Sequence, residues 1–229
     1  MMKKINIAGI ELDNYTVRES GLKISKMISE KPFVVVQEVD MDTVMLAGED
    51  DKVKAVIEDS DMTIITEAEI LEVAGESLVT NIQRKHEIYT HYQINDMLRK
   101  TERKNKTVFI LGETAAQVEQ VREFLEQKYT ELKIVGQSDL ESCNGEYESV
   151  VNEINSAAAN MVLAVLTSPM REHFLFENRD KISADLWYGV SGNGLNANKK
   201  GIRQLINRYI KVRRLAKHIN DYEEKEVDN

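Results

Sequence analysis

Acidic and hydroxyl side chains follow two of the strands that the sequence predicts. Glu38, Asp40 and Asp42 come directly after the second strand, and Thr66 and Glu67 follow the third. Open α/β sheets bind ligands at the carboxyl ends of their strands, and a carboxylate there can serve as a general base or a metal ligand. The same acids also suit helix starts, with Asp40 and Asp42 as caps and Glu67 as an ordinary first-turn acid. Both interpretations stay open from these residues alone.

Two glycine-containing turns are further candidates for ligand contact. Gly112 in VFILGET lies between a strand and a helix start, which favours phosphate, although Glu113 would repel it and a lone glycine can serve turn geometry alone. In YGVSGNGLNA, Gly192 and Asn193 follow a buried strand and can bring backbone N–H groups to a diphosphate or sugar. The alternative is a flexible loop before the last helix. Because the spacing does not match a dinucleotide fingerprint, a nicotinamide enzyme is not expected.

The stretch VLTSPMREHF resembles a strand-to-helix junction that binds a ligand. An apolar strand ends at Thr167 and Ser168, Pro169 opens a helix at its first position, and Glu172 lies in the first turn. We therefore include Pro169 and Glu172 among the candidate binding residues.

Composition excludes several other functions. The formal net charge of −9 argues against general nucleic-acid binding. No run of about 18 apolar residues occurs, so no membrane span is predicted, and the lone Cys143 favours a reducing cytoplasm. There is no nucleophile elbow, P-loop or Cys–His pair, and no metal is predicted, because the histidines lack metal-ligand spacing: His86, His91, His173 and His218.

Short β-branched runs alternate with segments of helical period along the chain. Strands are predicted at residues 5–8, 33–36, 62–65, 107–111, 132–135, 161–166 and 186–190. Helices are predicted at residues 16–29, 43–47, 51–58, 95–103, 115–128 and 148–158. In the helix at 115–128, Val118, Val121, Phe124 and Leu125 share one apolar face. This alternation predicts an α/β fold with a Rossmann-like, mostly parallel sheet flanked by helices.

A basic helical appendage closes the predicted fold. Residues 198–217 contain eight lysines and arginines and no acid, and an acidic tail follows. Such a helix suits a peripheral contact with anionic lipid at the inner face of the membrane, through residues 199–217, or it docks on the domain with a solvated basic face. The polar break at 101–106 divides the remainder into an N-terminal lobe (1–104) and a Rossmann-like nucleotide-sugar lobe (105–197), before the appendage (198–229).

Taken together, these segments resemble the WecB/TagA/CpsF family of glycosyltransferases over nearly the whole chain. The resemblance is carried by INIAGIELDNYTVRES, VVVQEVDMDTVMLA, IEDSDMTIIT, VFILGETAAQVEQVREFLEQKYTELKIVG, SPMREHFLFENR, WYGVSGNGLNA and GIRQLINRYIKVRRL. Their order and spacing fit the family with few gaps.

The motif residues of that family are mostly substituted at the strand ends. The run that begins with Thr-Pro-Asn in the family begins with Glu38 here, and the Asp of Pro-Asp-Gly, its proposed base, falls on Thr66, followed by Glu67. The Arg-x-x-Gly-Ser-Asp motif falls on EIYTHY with no match. The family's Gly-Gly after the fourth strand becomes Gly112-Glu113.

The last two motifs are kept in part. Pro-Lys-Gln-Glu becomes Pro169-Met170-Arg171-Glu172, so the Lys position carries Met170 and the Gln position carries Arg171. Arg171 can replace the lysine as a phosphate contact, whereas Met170 cannot bind a sugar by hydrogen bonds. Gly-Gly-Ser-Phe-Asp becomes SGNGL, which keeps Gly192. The Arg-Arg pair of the last helix is Arg213-Arg214.

The resemblance implies transfer of an N-acetylhexosamine-type sugar from a UDP donor to a polyprenyl-diphosphate-linked acceptor, in teichoic-acid or other cell-surface polysaccharide synthesis. It implies no cofactor, no required metal and a homo-oligomer. Glu67 is the expected base, with Asp40 in reserve, while Arg171, Arg213 and Arg214 would neutralise the diphosphates. The alternative is a catalytically inactive relative that serves as a binding or scaffold partner.

Overall fold

The computed structural model describes residues 4–74, 82–89, 91–143, 145, 147–191, 215 and 217–219. Within them the strands are β1 (Lys4–Ile7), β2 (Ile10–Asp13), β3 (Val34–Val39), β4 (Met62–Ile65), β5 (Thr107–Gly112), β6 (Lys133–Asp139), β7 (Met161–Val165) and β8 (Leu186–Val190). The helices are α1 (Val17–Glu30), α2 (Met41–Ala47), α3 (Asp51–Glu58), α4 (Ala68–Val73), α5 (Ile82–Tyr89), α6 (Tyr92–Arg103), α7 (Ala115–Lys128), α8 (Tyr147–Ala157) and α9 (Met170–Asn178).

Six parallel strands form the main sheet, in the order β4-β3-β8-β7-β5-β6. Helices connect them and cover both faces, so the predicted Rossmann-like α/β fold is confirmed. Val34 and Val36 of β3 pack on one face with α1, α6 and α7, while Val35 packs on the other face with α8 and α9. Burial on both faces explains the apolar runs Val34–Val36 of β3, Val108–Leu111 of β5 and Met161–Val165 of β7.

The first predicted strand belongs to a separate hairpin. β1 and β2 pair antiparallel across a two-residue turn, in which Ala8 and Gly9 have φ angles of 49° and 79°. Two positive φ values are typical of the type I′ turn that matches strand twist. At the end of β2, Asp13 donates its N–H to Thr63 Oγ1 (2.7 Å) and accepts the Thr63 N–H at Oδ2 (3.0 Å). The hairpin therefore covers the outer edge of β4.

Helix α7 has the bounds that the sequence predicts, and its buried apolar face has one residue fewer than predicted. Val118, Val121 and Leu125 are buried. Phe124 is exposed, with Lys128 Nζ 5.1 Å from its ring centroid. Helices α4 and α5 were not predicted, because α4 has only six residues and the sequence of α5, IQRKHEIY, is largely polar. None of the helices described here is long and apolar enough to cross a bilayer.

Strands from both predicted lobes belong to the same sheet. β3 and β4 precede residue 104, and β5 to β8 follow it. The polar break at 101–106 is the end of α6 and the short link to β5. The division at 104–105 stays a prediction.

A few residues of the basic appendage are described, and they contact the domain. Leu215 is fully buried in the apolar cluster that joins the hairpin to α2, α3 and α4. Lys217 is exposed, and the His218 ring lies against Gly48 at the end of α2, where an added Cβ would be 2.3 Å from His218 Nε2. This arrangement fits the docked-helix alternative.

Candidate functional site

The ends of four strands meet at one edge of the sheet. Asp40 follows β3, Thr66 follows β4, Ser168 lies three residues after β7, and Ser191 follows β8. Hydroxyl pairs link these loops: Thr66 Oγ1 lies 3.2 Å from Ser191 Oγ, and Ser168 Oγ lies 3.0 Å from Thr43 Oγ1. Parallel strands that point the same way thus bring together side chains that are 125 residues apart in sequence. This carboxyl edge is the place where open α/β sheets bind ligands.

Asp40 and Glu67 both bind the start of helix α2. Asp40 is its N-cap, and Oδ1 accepts from Thr43 N–H (2.9 Å) and Thr43 Oγ1–H (2.8 Å). Glu67 reaches across from the end of β4, and its Oε2 accepts from Met41 N–H (2.8 Å). The capping interpretation of Asp40 is thus confirmed by its hydrogen bonds. The roles of Glu67 as base and Asp40 as reserve stay predictions.

Thr66, the third candidate catalytic residue, is half-buried between two strands. Its hydroxyl donates to Val39 O (3.1 Å) and contacts the Ser191 hydroxyl described above. The Thr66 side chain is therefore the link between the loops after β3, β4 and β8.

Arg171 and Glu172 form an ion pair in the protein interior. Both side chains are fully buried, with Arg171 Nε and Nη2 donating to Glu172 Oε1 at 2.8 and 2.6 Å. Nη2 also donates to the Glu38 carbonyl oxygen (2.8 Å). Their predicted ligand contacts stay predictions, because these groups bind the protein itself in this conformation. The sequence predicted Pro169 as the first helical residue, but it is the N-cap residue of α9, which begins at Met170.

Gly189 provides the space that Arg171 occupies. A Cβ added at Gly189 would lie 1.8 Å from Gln37 Oε1 and 2.9 Å from Arg171 Cδ. Gly112 instead permits helix packing, since a Cβ there would lie 2.6 Å from Val118 Cγ2. Its neighbour Glu113 accepts from the Thr167 N–H (2.6 Å) and hydroxyl (2.5 Å), which joins the loops after β5 and β7. Close packing explains why a glycine stands at position 112, and its predicted contact with a phosphate stays a prediction.

Glu38 was one of the strand-end acids that the sequence indicated, but it was not among the predicted site residues. It is 1% exposed, and its carboxyl accepts from Tyr188 Oη–H (3.1 Å), Ser191 N–H (3.0 Å) and Ser191 Oγ–H (3.4 Å). Burial raises the pKa of Glu38 to about 7, although the hydrogen bonds and the charge of Arg171 act in the opposite direction. Burial and the adjacent Glu38 raise the pKa of Tyr188, so its hydroxyl remains a donor. The sequence signal for this buried acid is a glutamate, next to Gln37, within the mainly apolar strand β3.

Four candidate residues lie outside the described residues: Gly192, Asn193, Arg213 and Arg214. Among the residues that are described, no cluster of three or more His, Cys, Asp or Glu side chains could hold a metal ion. The carboxyl edge therefore offers hydroxyls and carboxyls, which suit hydrogen bonding to a polar ligand such as a sugar.

A family model for the glycosyl transferase WecG/TagA/CpsF family matches residues 5–193. The chain belongs to this family. The match includes every strand of the main sheet and all the strand-end residues described above, and it ends before the basic appendage. A search among curated proteins finds no match. Membership in the WecG/TagA/CpsF family confirms the resemblance that the sequence motifs indicated.

Proposed function

We propose that this protein transfers an N-acetylhexosamine-type sugar from a UDP donor to a polyprenyl-diphosphate-linked acceptor. The observation that carries the proposal is the meeting of Asp40, Thr66, Ser168 and Ser191 at the carboxyl edge, in a member of a glycosyltransferase family. Hydroxyl groups at that edge can donate to and accept from sugar hydroxyls, and carboxylates there can accept from them. The product would enter cell-surface polysaccharide or teichoic-acid synthesis.

The proposed reaction is a displacement at the anomeric carbon of the donor sugar. A carboxylate removes the proton from the acceptor hydroxyl, the acceptor oxygen bonds to the anomeric carbon, and UDP leaves with the electron pair of the broken bond. Glu67 is proposed as the base, because Met41 N–H fixes one of its oxygens at the edge. Arg213 and Arg214 are proposed to stabilise the departing diphosphate, without a required metal.

A second candidate function is binding without catalysis, as an inactive relative that recruits a partner. The observation that favours it is the orientation of Arg171 and Glu172, which bind each other in the interior. Asp40 and Glu67 likewise bind the first turn of α2. In this function the polar edge stabilises the fold, and its contacts with a ligand are secondary.

The test is calorimetric titration with UDP and UDP-N-acetylhexosamines, followed by a turnover assay with a lipid-linked acceptor. Wild-type protein is expected to bind UDP in the micromolar range and to turn over. Glu67→Gln retains the acceptor for Met41 N–H, so it should bind UDP normally and lose about 10²-fold or more in turnover. Glu123→Gln, on the exposed surface of α7, is the matched control. No UDP binding at millimolar concentration would reject the transferase and favour the inactive relative.

We further propose that the protein acts as a homo-oligomer in the cytoplasm and contacts the inner face of the membrane through residues 199–217. The exposed Lys217 beside the buried Leu215 supports a helix that docks by its apolar side and presents its basic side outward. Anionic vesicles should therefore bind the protein at low salt and release it at high salt. Replacing Arg213 and Arg214 by glutamine should weaken this binding while leaving Leu215 in place. Equal binding to neutral vesicles would contradict the proposal.

A further inference from the structure

Glu38 is a buried acid whose carboxyl oxygens are held by uncharged donors. Tyr188 Oη–H binds Oε1, and the N–H and hydroxyl of Ser191 bind Oε2. Arg171, the nearest cation, donates to the backbone carbonyl of Glu38. These hydrogen bonds favour the charged carboxylate, whereas burial favours the neutral form.

A line of hydroxyls connects Glu38 to the carboxyl edge. Ser191 Oγ lies 3.4 Å from Glu38 Oε2 and 3.2 Å from Thr66 Oγ1. Ser191 is buried, whereas Thr66 is half-buried and stands where β4 ends. The three groups thus run from the interior towards the edge at which a ligand would bind.

The protonation state of Glu38 sets the direction of the hydrogen bonds in this line. A charged carboxylate only accepts, so the Ser191 hydroxyl must point its hydrogen at Glu38, and Ser191 Oγ is then free to accept from Thr66. A neutral carboxyl can donate to Ser191 Oγ, whose hydrogen then turns to Thr66. Because burial raises the pKa of Glu38 to about 7, both arrangements are populated near neutral pH.

We propose that Glu38 takes up the proton of the sugar acceptor, through Thr66 and Ser191. In the structure the Thr66 hydroxyl donates its hydrogen to Val39 O, so the transfer begins when this hydroxyl turns to donate to Ser191 Oγ instead. The acceptor hydroxyl then gives its proton to Thr66 Oγ1, the Thr66 proton moves to Ser191 Oγ, and the Ser191 proton moves to Glu38 Oε2. The freed acceptor oxygen bonds to the anomeric carbon, and the bond from that carbon to UDP breaks with its electron pair on UDP. This step rests on the proposed transferase function. In this route Glu38, and not Glu67, is the final proton acceptor, and Thr66 is the group that touches the substrate. Turnover that falls in Glu67→Gln but not in Glu38→Gln would overturn the route and leave Glu67 as the base.

Other charged groups surround this line and are part of its electrostatics. They are Tyr188 on β8, Arg171 and Glu172 on α9, Asp96 with its partner Lys100 on α6, Asp40 at the start of α2, and Glu67 after β4. Arg171 stabilises the charged form of Glu38, while the Asp96 charge acts on Tyr188.

The first test needs no enzymatic activity. NMR of protein with ¹³C-labelled glutamate carboxyls should show one signal that titrates near neutral pH and is missing in Glu38→Gln. Ser191→Ala removes a donor to the charged form and should raise the midpoint. Thr66→Val touches no atom of Glu38. In the structure Thr66 donates to Val39 O and therefore acts as an acceptor towards Ser191, so its removal leaves the Ser191 hydrogen to Glu38 and should lower the midpoint. Thr43→Val is the control, because its hydroxyl bonds to Asp40 and Ser168 and should leave the midpoint unchanged.

A wild-type midpoint at the ordinary glutamate value of about 4.3 would overturn the proposal. An unchanged midpoint in Thr66→Val would overturn the connection to the edge. Thr66→Val replaces a half-buried hydroxyl by a methyl group of similar size, so this arm holds even if Ser191→Ala fails to fold.

The second test is the pH profile of turnover. Wild-type kcat/KM should rise as the pH passes through about 7, while Glu38→Gln and Thr66→Val should each lose roughly 10²-fold and Glu38→Gln should lose the rise. Full activity of Glu38→Gln with an unchanged profile would overturn the role of Glu38 and leave the transferase intact. Wild-type protein that binds no UDP and never turns over would reject the transferase and the proton transfer with it, whereas the NMR midpoints would still report the coupling of Glu38 to Thr66.

Discussion

The two halves of the carboxyl edge differ in chemistry although they share one backbone arrangement. In the β3–β8 half, the buried side chains near the strand ends include Gln37, Glu38 and Tyr188, and Arg171 donates to the Glu38 carbonyl oxygen. In the β5–β7 half, the pairs at comparable depth are apolar, as in Ile110 with Leu163.

The glycines of the two halves show the same contrast. Gly189 in β8 pairs with Gln37 on one side and Ala164 on the other, and its missing side chain makes room for a cation. Gly112 in β5 makes room for Val118 of the next helix. The fold therefore supplies the same strand-end geometry twice, and only the β3–β8 half combines it with buried ionisable groups. Four changes test this contrast, from the largest expected effect to the smallest.

Removing Arg171 should have the largest effect on stability. Arg171→Ala leaves the fully buried Glu172 without its charge partner, and breaking a buried ion pair costs about 3–5 kcal/mol. The double variant Arg171→Met with Glu172→Leu should recover much of that loss, because apolar residues of similar volume replace buried pairs well. Urea denaturation of the three proteins measures this. A double variant as unstable as Arg171→Ala would show that the pair is needed for more than mutual neutralisation.

Glu38 should make the stability of the protein depend on pH. Its pKa rises from 4.5 to about 7 on folding, so the folded protein binds the proton more tightly than the unfolded chain. The stabilisation is complete below about pH 4.5 and is lost as the pH rises through about 7. As the pH rises between these values, the free energy of unfolding of the wild-type protein should fall by roughly 3 kcal/mol relative to that of Glu38→Gln. Urea denaturation of both proteins at several pH values measures this, and free energies of unfolding that change equally with pH would contradict it.

Replacing the two glycines by alanine should cost different amounts of stability in the two halves. Gly189→Ala and Gly112→Ala should each cost roughly 1–3 kcal/mol through overpacking, with the larger value at Gly189, because Gln37 and Arg171 are fully buried and cannot move aside. Gln37→Ala in the Gly189→Ala background should restore part of the loss. The thermal midpoints of these variants provide the comparison, and equal losses at both glycines would remove the distinction.

The caps of α2 and α7 should give the smallest effects. Asp40 caps α2 and Thr114 caps α7, and replacing either by alanine should cost about 1 kcal/mol. Asp40→Asn retains a cap and should keep the stability. If Asp40→Asn keeps its stability but loses UDP affinity or turnover, Asp40 has a chemical role in addition to capping.

The order of strands and helices was accessible from the sequence because it depends on local patterns. Covered parallel strands are apolar runs, and the bounds of α7 follow from Thr114 and the period of its apolar residues. The hairpin was missed because Ala8-Gly9 is a weak turn signal and the second arm was assigned to no element. For the site residues, the sequence predicted only that they lie at the ends of strands.

The orientation of the site residues depends on partners far away in the sequence. Arg171 faces inward because Gly189 leaves space and Glu38 offers a carbonyl, and neither condition is visible near residue 171. The raised pKa of Glu38 likewise results from burial by α-helices and strands on both sides. Sequence patterns identified the polar residues, and tertiary packing decided which of them are available to a ligand.

The contact between Asp13 and Thr63 has a consequence for solubility. An outer strand of a sheet exposes free amides, and such a strand can recruit a strand from another molecule. The Asp13 carboxylate already occupies the Thr63 amide, and the hairpin lies along β4. The hairpin of residues 4–13 thus protects this sheet edge from edge-to-edge aggregation, and a chain that lacks it would expose the edge of β4 to neighbouring molecules.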